Sequence, residues 1–310
     1  MRILVVGAGA LGGYFGAALQ QTGRDVTFLV RPARATQLAR NGLRVRSADA
    51  EFAVQPTTIL AGGVREPFDL ILLGVKSYSL AEAMEQFAPA VGPQTVIVPV
   101  LNGIAHVDIL SARFGADRVM GGMSLISAAL DADGHINLLL PTVQIVMGDL
   151  AAGISDRARA FAALFEGTAV AARASGNIMQ DMWEKFTFLA AGNGISCLMR
   201  VSLGDILGAP GGAEIVAHAC QETRAVATAC GFPPRQAYVE QLLNIYNRPE
   251  SPLKASMLRD IERGAPTEGE HTVGDMVRRA RRHGIATPVL DVAYCHICAY
   301  EIERARIASG

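Results

Sequence analysis

The sequence carries almost no net charge. Its 28 Lys and Arg stand against 29 Asp and Glu, leaving −1 at pH 7, which removes the electrostatic case for nucleic acid as a partner. Long apolar runs are also missing. The longest uncharged stretches are interrupted by Gly, Asn, Ser or Pro, whereas a helix that spans a bilayer needs ~20 mostly apolar residues, so no membrane partner is expected. The apolar start at residues 3–6 is too short for a signal-peptide core and runs straight into a glycine motif; a cytoplasmic protein is expected. Cysteines number only five (Cys197, Cys220, Cys230, Cys295 and Cys298), an odd count that argues against a disulfide framework. Cys295-His296-Ile297-Cys298 has a spacing known from redox and metal sites, but no second ligand pair accompanies it. The apolar pattern over 289–302 reads as a packed helix, so these cysteines are expected to be small buried residues, with no metal site. Internal repeats and low-complexity tracts are absent.

What is present suits an enzyme with a large buried fraction: half of the residues are hydrophobic and 18% are charged. A length of 310 residues fits two domains at ~100–200 residues each. The first half alternates short β-branched runs (3–6, 26–30, 70–75, 95–99 and 119–123) with helical patterns, which predicts a parallel sheet with crossover helices. Later runs at 124–130, 136–139 and 144–147, punctuated by Asp133-Gly134 and Pro141, read as antiparallel strands extending that sheet. A helix over 156–165 and a strand near 169–173 close the domain. From Asn177 onward the periodicity is helical almost throughout, with loops at 208–212, 231–234, 248–252 and 264–266. The expected organisation is an α/β domain over 1–172 and an all-α domain over 173–310. The basic cluster Arg278, Arg279, Arg281, Arg282 and His283 precedes Gly284 and reads as the cationic last turn of a helix with a glycine cap.

Gly7-Ala8-Gly9-Ala10-Leu11-Gly12 is G-x-G-x-x-G, placed directly after the first strand and opening an apolar helix. Gly7 permits the tight turn, Gly9 lets backbone approach a pyrophosphate, and Gly12 lets helix and strand pack closely. The free N–H groups and dipole of the helix start favour phosphate charge. The strand–turn–helix setting makes this a Rossmann-type dinucleotide site. An acid at the end of the second strand would favour NAD. Here the chain reads Leu29-Val30-Arg31-Pro32-Ala33-Arg34, with no carboxylate in reach. Arg31 offers its planar fork to a 2′-phosphate and Arg34 a second charge, so NADP(H) is the expected cofactor.

Beyond that loop the sequence resembles the ketopantoate reductase (2-dehydropantoate 2-reductase) family along essentially the whole chain. The matching segments are Gly7 to Gly12, Arg31, Gly74-Val75-Lys76-Ser77, Leu101-Asn102-Gly103, Trp183-Glu184-Lys185-Phe186, Ser256-Met257-Leu258-Arg259-Asp260 and Pro266-Thr267-Glu268. The resemblance implies NADPH-dependent reduction of ketopantoate to (R)-pantoate, for pantothenate and coenzyme A synthesis. It also implies a helical second domain like the C-terminal domain of 6-phosphogluconate dehydrogenase, and an active site in the cleft between domains.

Hydride reduction of a ketone puts negative charge on the carbonyl oxygen, so a positioned proton donor is required. Lys185 fits the role. It begins a run, 186–199, without a charged residue, and Trp183, Phe186 and Leu189 surround it in helical spacing; desolvation there should lower its pKa toward neutrality. The family match makes it the catalytic residue. Thr267-Glu268-Gly269-Glu270 has capping-box form, with Thr267 as cap and Glu270 as its partner. Glu268 is then a first-turn carboxylate that the dipole keeps ionised, and by resemblance it binds substrate. Ser256 matches a residue that contacts the substrate carboxylate, and Asn102 one that contacts both cofactor and substrate. By the same resemblance Lys76 lines the cofactor side, and Asn193 lies on the helix face of Lys185. Two departures bear on the substrate: Leu189 stands where many members have asparagine, and Val273-Gly274 where they often have Asn-Gly. Lost polar groups suggest a paralogue acting on another 2-oxo acid. A non-catalytic NADP-sensing protein is the alternative of a different class, and it has no need of Lys185, Ser256 or Glu268. The expected partner is a small 2-oxo acid; an apolar helical domain is compatible with a homodimer.

Overall fold

A continuous apolar strand needs cover on both faces, and β1 (Arg2–Val6) and β6 (Leu70–Leu73) are buried along nearly their whole length. The computed structural model, which describes residues 1–309, places them side by side in a five-stranded parallel sheet. With β2 (Asp25–Leu29), β5 (Thr57–Ile59) and β7 (Val96–Pro99) the strand order is β5-β2-β1-β6-β7. The order reverses beside β1, the switch point at which such sheets bind ligands. One face packs under α1 (Ala10–Gln21), and its core of Phe15, Phe28, Met147 and Phe165 continues to α5 (Asp156–Ala163). The other packs under α3 (Leu80–Phe87) and α4 (Ala105–Phe114), around Ile71, Phe87 and Leu110. Gly16 lets α1 settle on the sheet: a Cβ there would lie 2.5 Å from the Phe28 ring.

The later strands do not extend this sheet, contrary to the pattern-based expectation. β8 (Met120–Leu125), β11 (Gln144–Asp149) and β12 (Ala171–Ala174) form a separate three-stranded sheet in the order β12-β11-β8. β8 runs beside β7, but among the described residues their ladder pairing is an isolated bridge, Ile97 to Val119. The reason lies in Pro99. Val96 and Val100 donate their N–H groups toward β6, so strand alternation points positions 97 and 99 toward β8. Proline has no N–H to give there, and the ladder stops. A third sheet, β4-β3-β10-β9, joins β3 (Leu43–Arg46), β4 (Glu51–Val54), β9 (Ala128–Leu130) and β10 (Ile136–Leu138). The strands between α2 (Pro32–Asn41) and β6 are not anticipated by the sequence pattern, although Leu43 and Val45 point inward and Arg44 outward, the alternation of a half-buried strand.

The chain divides into two compact units: Met1–Leu101 with His106–Asp181, and Asn102–Ala105 with the chain from Met182 onward. A division at residue 172 would cut through β12. The first unit instead runs to Asp181, whose carboxylate accepts from Ser175 Oγ at 2.7 Å and Arg173 Nη2 at 3.0 Å.

Helices make up the rest: α6 (Ile178–Met199), α7 (Leu203–Gly208), α8 (Gly212–Ala229), α9 (Gln236–Tyr246), α10 (Ser256–Glu262), α11 (Asp275–Arg282) and α12 (Pro288–Ser309). α12 is entered through a buried cap. Glu222 of α8 accepts from the N–H groups of Val289 and Leu290 at 2.9 and 3.0 Å, satisfying donors that a helix start leaves unpaired. The basic cluster ends α11 as expected, with Gly284 at φ +66°. No helix among the described residues is long and apolar enough to cross a membrane. Cys295 departs from expectation: it lies exposed on α12, while Cys197 and Cys220 are buried. α12 keeps only one flank in the core, through Leu290, Ala293 and Ile297.

Candidate active site

In the first unit the glycine loop connects β1 to α1. Gly7 has φ +91° and donates its N–H to Leu29 O at 3.0 Å. A Cβ on Gly12 would lie 2.2 Å from Gly7 O, and one on Gly74 would lie 2.7 Å from Gly12 Cα. Helix, loop and the end of β6 are therefore in backbone contact. Gly9 differs: a Cβ there would meet nothing within 4 Å. Gly9 is also the N-cap of α1, which has no side-chain cap and no acid in its first turn. Ala8, Ala10 and Leu11 bring no polar side chain to the loop. An open backbone surface at an uncapped helix start fits a pyrophosphate.

Arg31 caps α2, with Pro32 at the first helical position. Its guanidinium meets the Glu82 carboxylate of α3 at 2.6 Å, and both side chains are more than half exposed. A carboxylate is thus within reach of the end of β2 after all, supplied from 51 positions along the chain. Arg34 does not offer a second free charge. It turns inward, donating from Nε to Ala8 O at 3.0 Å and from Nη1 to Gly134 O at 3.0 Å, and burial lowers its pKa. Its work is to hold the glycine loop. Lys76 is exposed in the turn that follows β6.

The second unit gathers three residues that are distant in sequence. Lys185, partly buried on α6, donates from Nζ to Asn102 Oδ1 at 3.3 Å. Burial pushes its pKa down to about 8, and the nearby Glu268 carboxylate opposes that shift. Glu268 is only 6% exposed. Its carbonyl accepts from His271 N and Thr272 N, both at 3.1 Å, which starts a π-helical turn over Glu270–Gly274 that continues into α11. Gly103 docks the asparagine loop on this turn: its φ is +84° and a Cβ would lie 2.5 Å from His271 O. Asn102, Lys185 and Glu268 are therefore one constellation. Asn193 is buried further along α6. Ser256 is exposed at the start of α10, where the preceding Ala255 N–H donates to Ser196 Oγ of α6 at 3.5 Å. The entry to α10, rather than the Ser256 side chain, thus meets α6 about three turns beyond Lys185.

The capping box does not form. Thr267 gives its N–H and hydroxyl to Glu301 at 2.6 and 2.7 Å, and Glu270 pairs with Arg278 and Tyr294. The π-helical turn moves Glu270 off the position from which it would reach back.

Sequence reasoning missed the supports of Lys185. Glu184, 3% exposed, accepts from Arg235 N and Nε, each at 2.8 Å, and from Nη2. Trp183 stacks on Phe232 with centroids 5.4 Å apart and lies under the Arg279 guanidinium. Tyr246 donates to Phe188 O at 2.8 Å, against Gly192, where a Cβ would lie 2.2 Å from its hydroxyl. A carboxylate buried on an apolar helix calls for a cation partner, but nothing in the pattern selects Arg235, whose own side chain is more than half exposed. Asp131, Asp133 and His135 bring candidate metal-ligand atoms within 4.8 Å of one another. Their hydrogen bonding is that of a hairpin turn, with His135 N donating to Asp131 at 2.8 Å.

The structure thus presents an uncapped glycine loop in one unit and a lysine–carboxylate cluster in the other. Models of the family "Ketopantoate reductase PanE/ApbA" match residues 3–152, and of its C-terminal domain residues 177–301. The uncharacterized oxidoreductase YkpB of Bacillus subtilis is 37% identical over 98% of this chain and 100% of its own. The structure of 2-dehydropantoate 2-reductase from Methylococcus capsulatus has 32% identity, 98% coverage of both chains and a TM-score of 0.85. D-mandelate dehydrogenase, solved with NADH and anilino(oxo)acetate, shares the fold at a TM-score of 0.88 and 23% identity, covering 98% of this chain and 99% of its own. The chain belongs to the ketopantoate reductase PanE/ApbA family of oxidoreductases.

Proposed function

We propose that the protein is an NADPH-dependent reductase of a small 2-oxo acid, with 2-dehydropantoate as its substrate. The observation that carries this reading is the Asn102–Lys185–Glu268 constellation. Ketone reduction needs a donor that is protonated near neutral pH yet gives up its proton readily, and a lysine titrating near 8 meets both conditions. A nicotinamide, when bound, would supply the hydride to the carbonyl carbon. As the carbonyl electron pair moves to oxygen, Lys185 Nζ gives that oxygen its proton and is reprotonated from solvent. Asn102 Oδ1 holds the ammonium in place, and Glu268 keeps it charged while accepting a hydrogen bond from a substrate hydroxyl. Ser256 and Asn193 are assigned to the rest of the substrate. Backbone at Gly7, Ala8, Gly9, Ala10, Leu11 and Gly12 is assigned to the pyrophosphate, Arg31 to the 2′-phosphate, and Lys76 and Asn102 to the cofactor's nicotinamide half.

A second reading changes only the acid. Leu189, partly buried one turn beyond Lys185, and fully buried Val273 put apolar groups where many relatives have amides, which favours a bulkier or more apolar 2-oxo acid. Steady-state NADPH oxidation with a panel of 2-oxo acids separates the two. Highest kcat/KM with ketopantoate supports the first reading. No oxidation with ketopantoate, while another 2-oxo acid turns over, overturns it in favour of the second.

A further inference from the structure

The end of β2 is where a dinucleotide site reads the adenosine ribose: a carboxylate there accepts from the 2′-hydroxyl, and a cation there meets a 2′-phosphate. This protein has both. Arg31 follows β2 and Glu82 follows β6, and their ion pair is 2.6 Å long. In the strand order β1 lies between β2 and β6. At ~4.8 Å per strand spacing, the pair reaches ~10 Å across the carboxyl end of β1, where the glycine loop begins. Glu82 is prepared for this position. It lies in the first turn of α3. Its other oxygen accepts from Gln86 Nε2 at 2.8 Å, which aims the carboxylate.

We propose that Glu82 sets the cofactor preference of this protein. It rests on the assignment of Arg31 to the 2′-phosphate. Glu82 supplies from α3 the acid that the β2 segment lacks, neutralises Arg31 when no phosphate is bound, and offers an acceptor to an unphosphorylated ribose. NADPH must win Arg31 from Glu82 and place its phosphate beside a carboxylate; NADH meets neither cost. The chain therefore discriminates between the two cofactors less than Arg31 alone would dictate. Because the pair is exposed, its effect shrinks as salt is raised.

The test is direct binding of NADPH and NADH to the full chain, read by nucleotide fluorescence without substrate, for wild type, Glu82→Gln and Arg31→Ala. Glu82→Gln should tighten NADPH about fivefold, the size of an exposed charge pair, leave NADH unchanged or weaker, and lose this contrast in 1 M salt. A ratio of the two dissociation constants within twofold of wild type, or equal changes for both nucleotides, overturns the proposal. Arg31→Ala separates the layers. If it weakens both nucleotides alike, the 2′-phosphate assignment falls and this inference falls with it. If it weakens NADPH selectively while Glu82→Gln leaves the ratio unchanged, only the role of Glu82 is lost.

Discussion

The glycine loop and the Lys185 constellation are built on opposite principles. The loop is backbone: Gly7, Gly9 and Gly12, with Gly74 behind them, work because they carry no side chain, and at Gly12 a single Cβ would strike the Gly7 carbonyl at 2.2 Å. The constellation is functional groups: an amide, an ammonium and a carboxylate from Asn102, Lys185 and Glu268. One site fails when an atom is added, the other when an atom is taken away. The first therefore constrains residue size at fixed positions, while the second constrains chemistry and leaves the surrounding helices free to vary.

Lys185→Ala gives the largest effect expected. Turnover should fall ~10²-fold or more, the scale of a lost acid catalyst, while NADPH binding measured by fluorescence stays close to wild type. Unchanged turnover would remove Lys185 from the chemistry, and lost cofactor binding would show that the two sites are not separable in this way.

The loop yields a paired prediction of smaller size. Gly12→Ala forces backbone apart and should destabilise by ~1–3 kcal/mol, the usual cost of overpacking, lowering the melting temperature and weakening NADPH. Gly9→Ala meets nothing within 4 Å, so its melting temperature should stay at the wild-type value while NADPH binding still weakens, because the new methyl stands where the phosphates approach. A Gly9→Ala protein that binds NADPH normally would move the pyrophosphate away from that face of the loop.

The same contrast explains what the sequence could tell. The glycine loop is contiguous, and a strand, a turn and a helix start announce it within twelve residues, so its geometry was readable from pattern. The end of β2 was half readable. Arg31 is visible, but Glu82 comes from another crossover, and only the strand order brings it near. The constellation joins three remote segments, and resemblance named its members without predicting the Asn102–Lys185 contact. The capping box at Thr267 failed for a related reason. A local motif competes with tertiary partners, and Glu301 and Arg278, neither of them in the motif, took its two side chains. The extended sheet failed at one missing N–H, that of Pro99, an effect that depends on which neighbour the proline faces.

Titration offers the finest test of the contrast, because it reads a functional group and ignores backbone shape. The Lys185 pKa is lowered to about 8 by burial, and the donor is its protonated form. The reduction rate should therefore be flat below that value and fall ~10-fold per pH unit above it, in kcat/KM for the 2-oxo acid. Asn102→Asp places a negative charge on the atom that already accepts from Lys185 Nζ at 3.3 Å. An opposite charge at that distance favours the ammonium and should raise its pKa by about one unit or more. The falling limb then moves to higher pH, even though a more weakly acidic donor slows the plateau. If Asn102 were only a turn residue beside Gly103, the substitution would change stability and leave the limb where it is.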